Sequence, residues 1–152
     1  MKSANKIVRD KERVKSTGEI FTPLPLVDEI LDKLPEEVWT DPSKTFIDNS
    51  CGDGNFLVRV LARKLKYHPT KLFEAVSTIY GVDLMPDNIN QCRERLFGEL
   101  FKHARETNQN KTFLDRGDDI WEIITKNVVC HDALTYHYRF DGTDDLTVIT
   151  AE

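Results

Sequence analysis

"FIDNSCGDGNFL", residues 46–57, decides how the rest of this sequence is read. A short apolar run ends in Asp48, a turn with Gly52 and Gly54 follows, and a second apolar run begins at Phe56. Upstream, "KTFID" is short and β-prone and predicts a buried strand. Downstream, "NFLVRVLARKLK" places apolar residues at 56, 57, 60, 61 and 65, the spacing of an amphipathic helix with a basic outer face.

The same alternation runs through the chain. Pro23 and Pro25 hold the segment before the first helix extended, and "LVDEILDKL" then carries apolar residues at 26, 27, 30, 31 and 34. Pro35 and Pro42 bracket a loop, "KLFEAVS" predicts a short helix, and "TIYGVDL" a second strand. Pro86 opens a long helix through "DNINQCRERLFGELFKHARE". "TNQNKTFLDRGDD" reads as polar and irregular, "IWEIITK" as a short helix, "NVVCHD" as a third strand and "LTVIT" as a fourth. Strands alternating with helices predict an α/β fold with a mainly parallel sheet. Trp39 and Trp121 are expected as core or semi-core anchors, and "YHYRF" as a loop packed against the sheet.

Composition bounds the rest. At 152 residues the chain is one domain by length, and its apolar 39% argues against wholesale disorder. No apolar stretch approaches the ~20 residues that span a bilayer, and no hydrophobic signal core opens the sequence, so a cytoplasmic protein without a membrane role is expected. Cys51, Cys92 and Cys130 are odd in number and form no C-x-x-C pair, which argues against a disulfide framework and a zinc site. The net charge of −5 disfavours a protein that coats nucleic acid. Residues 1–16 nevertheless form a basic tail, with Lys2, Lys6, Arg9, Lys11, Arg13 and Lys15 against Asp10 and Glu12. It could touch phosphates or lie solvated; residues 17–152 make up the domain.

Ligands of open parallel sheets bind outside the carboxyl ends of the strands. The predicted strands deliver Asp48, Asp83 and Asp132 to that rim. Gly52 and Gly54 let the backbone approach a ligand, and the following helix adds free N–H groups. Asp83, at the end of the second strand, is placed to accept bonds from ribose hydroxyls, and Asp132 from an exocyclic amino group of adenine. Taken singly each has a plain reading: G-x-G as a structural turn, Asp83 as a helix cap, Asp132 as a polar strand end. Jointly they point to a nucleoside-type ligand. Leu57 stands where a dinucleotide fingerprint needs its third glycine, no P-loop lysine follows Gly54, and Asp48 and Asp53 would repel a pyrophosphate. S-adenosylmethionine, with a ribose, an adenine and two cationic centres, suits the acid-rich rim.

With these motifs in order, residues 17–150 resemble the S-adenosylmethionine-dependent DNA adenine-N6 methyltransferases, particularly those of restriction–modification systems. "GEIFTPLPLVDEIL" is similar to the segment that closes over the methionine part of the cofactor, "FIDNSCGDGNFL" to the first-strand motif, "IYGVDLMPDNINQCRERL" to the second and "NVVCHDAL" to the third. The resemblance implies a Rossmann-like fold and cofactor contacts at Phe21, Thr22, Pro23, Asp48, Asn49, Cys51, Gly52, Gly54, Asn55, Phe56, Asp83, Leu84, Asp132 and Ala133. Asn49 departs from the family's usual proline.

The family's catalytic motif, N/D-P-P-Y/F, should follow the fourth strand. Here "LTVIT" is followed by "AE", and no N-P-P or D-P-P occurs in the sequence. In that motif a side chain and a proline carbonyl draw on the target amino group while the aromatic ring stacks on a flipped base. The expectation is therefore an adenine-specific methyltransferase fold truncated after its fourth strand, holding cofactor, inactive on DNA alone and without a catalytic residue of its own. The alternative is a non-catalytic S-adenosylmethionine-binding or partner-binding protein that dimerises, or recruits another chain, along its fourth-strand edge.

Overall fold

The computed structural model describes residues 21–135 and Phe140. Its elements run α1 (Leu24–Asp32), α2 (Glu37–Thr40), β1 (Phe46–Asp48), α3 (Asn55–Tyr67), α4 (Leu72–Ser77), β2 (Ile79–Asp83), α5 (Pro86–Glu106), α6 (Asn110–Asp115), α7 (Gly117–Asn127) and β3 (Val128–Cys130), followed by a 3-10 turn at Ala133–Thr135. The three strands form a parallel sheet in the order β1–β2–β3, with Asp48 opposite Gly81 and Asp83 opposite Cys130. The chain is thus mixed α/β, with helical crossovers between successive parallel strands. The basic tail and the predicted fourth strand "LTVIT" fall outside the described residues.

Alternating polar and apolar residues explain why the helices lie where they do. α3 turns Leu57, Leu61 and Leu65 inward, α5 turns Ile89, Leu96 and Leu100 inward, and α7 adds Ile120 and Ile124. These meet Ile79 of β2 and Val128 of β3, both fully buried. Each such side chain contributes about 2 kcal/mol of burial free energy. None of the described helices is long and apolar enough to cross a membrane.

Several local expectations change. β1 is half-buried rather than buried, because Ile47 points off the sheet and is 54% exposed. Pro25 lies inside the first turn of α1, where its missing N–H costs no helical bond, so the extended segment ends at Pro23. The loop between Pro35 and Pro42 contains the short α2, anchored by buried Trp39 stacked on Phe46 at 5.1 Å. The stretch expected to be irregular after α5 forms α6, because Phe113 finds Phe97 and Phe101 at 5.0 and 5.4 Å. Trp121 packs edge-on against Phe97 and remains partly exposed. Of "YHYRF" only Phe140 is described, and its ring lies 4.9 Å from that of Tyr80 on β2.

Two buried cations also depart from a simple amphipathic pattern. Lys64 belongs by sequence to the basic outer face of α3, yet it is buried. Its Nζ donates to the Lys44 carbonyl at 2.7 Å and lies over the Phe46 ring, and burial pushes its pKa down. Arg93 is buried where α7 ends, donating from Nε and Nη2 to the Val128 carbonyl at 2.9 and 2.7 Å and from Nη2 to that of Thr125 at 3.3 Å. A cation there satisfies carbonyls that the helix end leaves unpaired and complements its negative dipole end.

Candidate functional site

The turn after β1 is built from contacts that only glycine permits. Cys51 N–H continues the β1–β2 ladder to the Val82 carbonyl at 3.0 Å, after which Gly52 takes φ +56° and Gly54 φ +100°. A Cβ on Gly52 would stand 2.7 Å from Cε1 of Phe21, and one on Gly54 2.8 Å from Sγ of Cys92. The Phe21 ring therefore seals the turn from one side and α5 seats it from another. The "FTP" segment and the glycine turn, far apart in sequence, are brought together.

Three bonds fix that junction. Asn55 Nδ2 donates to the Thr22 carbonyl at 2.8 Å, and Arg95 Nη1 donates to Asn55 Oδ1 and to the Asp53 carbonyl, both at 2.9 Å. Behind it, Arg59 binds Asp28 through Nε at 2.8 Å and Nη2 at 2.6 Å, and Arg63 bridges to Asp32 at 2.8 Å, so α1 is clamped to α3. The Arg59 hydrogen bonds hold Asp28 below the usual carboxylate range despite opposing desolvation.

Asp48 and Asp83 end β1 and β2 and Asp132 lies just past β3, but their surroundings differ. Asp83 Oδ1 accepts the Gly52 N–H at 3.1 Å, and Oδ2 accepts the Met85 N–H at 3.0 Å and Asn88 Nδ2 at 3.1 Å. A carboxylate can accept about four hydrogen bonds, so these leave room for one more. Asp83 is thus a cap and a turn-holder as well as a ligand candidate: both sequence readings of it apply. Asp48 accepts the Ser50 N–H at 3.0 Å. Burial raises its pKa first, the Ser50 bond opposes this, and the Asp83 charge raises it further. Asp132 Oδ1 accepts the Leu134 N–H at 2.9 Å, opening the 3-10 turn that Ala133 begins. Leu84, beside Asp83, is 52% exposed, while Phe56 and Asn49 lie on α3 and on the turn.

Asp53 corrects one expectation. The loop was expected to present both Asp48 and Asp53 to a ligand, but Asp53 is buried and its Oδ1 lies 3.2 Å from Arg95 Nη1. That oxygen gains an ion pair without an aligned hydrogen bond. Beside the glycine turn the partly exposed negative charge therefore comes from Asp48 and Asp83 rather than from Asp53. The Cys51 thiol is pushed well above its ordinary range by its hydrogen bond with Cys92 and by burial, so it is a packed group rather than a nucleophile. All three cysteines are buried, and Cys130 Sγ donates to the Leu84 carbonyl at 3.4 Å.

Sequence reasoning missed Arg95, Asn88 and Phe21's sealing role as a connected set. Spacing held the clue: residues 88, 92 and 95 share one face of a helix, and each touches a different part of the turn or its acid. Comparison with protein-family models, with curated proteins and with solved structures gave no match.

Proposed function

We propose that this chain is the S-adenosylmethionine-binding part of a DNA adenine-N6 methyltransferase-like protein. One observation carries the reading. Asp48 and Asp83 stand near enough for the charge of one to raise the pKa of the other, beside a positive-φ glycine turn, and among the described residues neither pairs with a lysine or arginine. Such a rim favours a ligand that brings its own positive charge and its own hydroxyl donors. S-adenosylmethionine has a sulfonium and an ammonium for the acidic side. A ribose hydroxyl would use the remaining acceptor position of Asp83, the adenine would lie against exposed Leu84, and Asp132 would take its amino group. Phe21, Thr22 and Pro23 would close over the methionine part.

Adenine in DNA as methyl acceptor rests on the family resemblance. When bound, S-adenosylmethionine would supply a methyl group to the N6 nitrogen, with a neutral thioether as leaving group and one N6 proton lost to solvent. The residues that draw on N6 belong to the N/D-P-P-Y/F motif, which this sequence lacks. Cofactor binding without methyl transfer is therefore the activity proposed for the chain by itself.

Calorimetric titration with S-adenosylmethionine tests this directly. The wild type is expected to bind, and Asp83→Ala to bind about tenfold more weakly, the worth of one hydrogen bond to a carboxylate. No wild-type binding, or equal binding by the variant, overturns the assignment of the rim. N6-methyladenine should not form when the chain alone is incubated with cofactor and adenine-containing DNA.

A second reading, partner binding, has its own support. α1 and the residues after it expose Leu26, Ile30 and Leu34, and β1 exposes Ile47. Ile30, Leu34 and Ile47 border a groove of about 310 Å³ that also reaches Phe46, Asp48 and Phe56. β1 has no second strand neighbour among the described residues. A homodimer joined along this face should sediment as such and dissociate on Ile30→Glu; a monomer at high concentration eliminates edge pairing.

A further inference from the structure

We propose that Arg95 is a positioning residue for the cofactor site, holding the "FTP" segment and the glycine turn in one fixed arrangement. The inference rests on the S-adenosylmethionine reading and deepens it.

A single nitrogen makes the junction. Arg95 Nη1 donates to the Asp53 carbonyl and to Asn55 Oδ1, both at 2.9 Å, and stands 3.2 Å from Asp53 Oδ1. Asn55 passes the constraint on, since its oxygen is held by Arg95 and its Nδ2 reaches the Thr22 carbonyl at 2.8 Å. With its amide oxygen fixed by a cation, Asn55 has only one orientation left for its donor. The bonds are partly buried, where charge-assisted contacts hold geometry better than at an open surface.

Arg95 acts with its neighbours on α5. Asn88 donates to Asp83 Oδ2 at 3.1 Å, and Cys92 lies under Gly54 closely enough to exclude a Cβ. One helix face thus sets three things: the carboxylate at the end of β2, the seat of the glycine turn, and the link from that turn to Thr22. The arrangement separates two parts of the ligand. Asn88 and Asp83 serve the ribose side, whereas Arg95 serves, through Asn55, the segment expected over the amino-acid side.

Calorimetry with two ligands, S-adenosylmethionine and 5′-methylthioadenosine, which lacks the amino-acid half, tests that separation. Arg95→Ala is expected to weaken S-adenosylmethionine about tenfold or more and to leave 5′-methylthioadenosine within about twofold. Asn55→Ala, which cuts the Thr22 link without uncovering the Asp53 charge, should do the same, and the double variant should be no worse than the weaker single. Arg95→Lys keeps a cation beside Asp53 and should fall between wild type and Arg95→Ala. In the ligand-free protein, amide exchange over residues 21–31 should quicken in Arg95→Ala and Asn55→Ala but not over β2.

Equal weakening of both ligands means a general packing role and overturns the proposal. Unchanged exchange over residues 21–31 overturns the link while leaving the cofactor reading intact. If the wild type binds neither ligand, the cofactor reading falls and the positioning role with it.

Discussion

Gly54→Ala is expected to destabilise the protein by about 3 kcal/mol, roughly 10 °C in melting temperature for a domain of this size. Two costs combine. At φ +100° and ψ 19° an L side chain is strained by about 1–2 kcal/mol. The new Cβ would also lie 2.8 Å from Sγ and 3.3 Å from Cα of Cys92, and a helix backbone cannot step aside as a flexible side chain can. Because Gly54 N–H bonds the Cys51 carbonyl at 3.0 Å and its own carbonyl receives the Val58 N–H at 2.8 Å, relief by moving the turn breaks the start of α3. Gly98→Ala supplies the control. It lies mid-helix on α5 with nothing within 4 Å of a built Cβ, and the same substitution there should stabilise by about 0.5–1 kcal/mol. Thermal and urea unfolding of the two variants read the contrast. Equal effects would show that the turn is not held as the structure places it.

The contrast between these glycines shows what a sequence carries and what it withholds. The strand–turn–helix unit at residues 46–67, the long helix opened by Pro86 and the three strand-end aspartates are written in local pattern: apolar spacing, turn residues and a proline at the first helical position. Gly54 could be suspected from the same pattern, since a G-x-G between a strand and a helix has few local alternatives. What local pattern does not encode is the partner. Lys64 reads as solvated, because nothing in α3 announces that Lys44 and Phe46 will lie above it. Asp53 reads as facing a ligand, because its counterion, Arg95, is 42 residues away. α6 reads as irregular, because its one buried side chain, Phe113, is stabilised by rings on α5 and not by its own periodicity. In each case long-range packing overrides a short-range preference. The acids were legible as types at strand ends; their division into Asp48 and Asp83, each holding turn N–H groups, and Asp53, buried against Arg95, was not.

That division leads to the strongest prediction for ligand binding. Asp48→Asn should weaken S-adenosylmethionine about a hundredfold while making the ligand-free protein more stable at neutral pH. The affinity loss follows from removing, beside Asp83 with its three protein donors, a carboxylate that accepts one, at the cost of a charge-assisted contact to a cation. The stability gain follows from linkage. Burial and the Asp83 charge raise the folded-state pKa of Asp48 above its unfolded value, so between the two values the folded state holds more protons than the unfolded state. Stability then falls as pH rises through that window and stays lower above it. Asparagine keeps an oxygen for the Ser50 N–H and carries no charge, so it escapes the penalty. The melting-temperature difference between Asp48→Asn and wild type should therefore be near zero at acid pH, below the ordinary carboxylate range, and grow to a plateau near neutrality. Binding should show the complementary dependence: wild-type affinity should decline on acidification at a higher pH than an ordinary aspartate allows, and the variant's weak affinity should be flat across the same range. A variant that is less stable at neutral pH, or that binds as well as wild type, would mean that the Asp48 charge is already compensated within the protein and that no cationic ligand is needed at the rim.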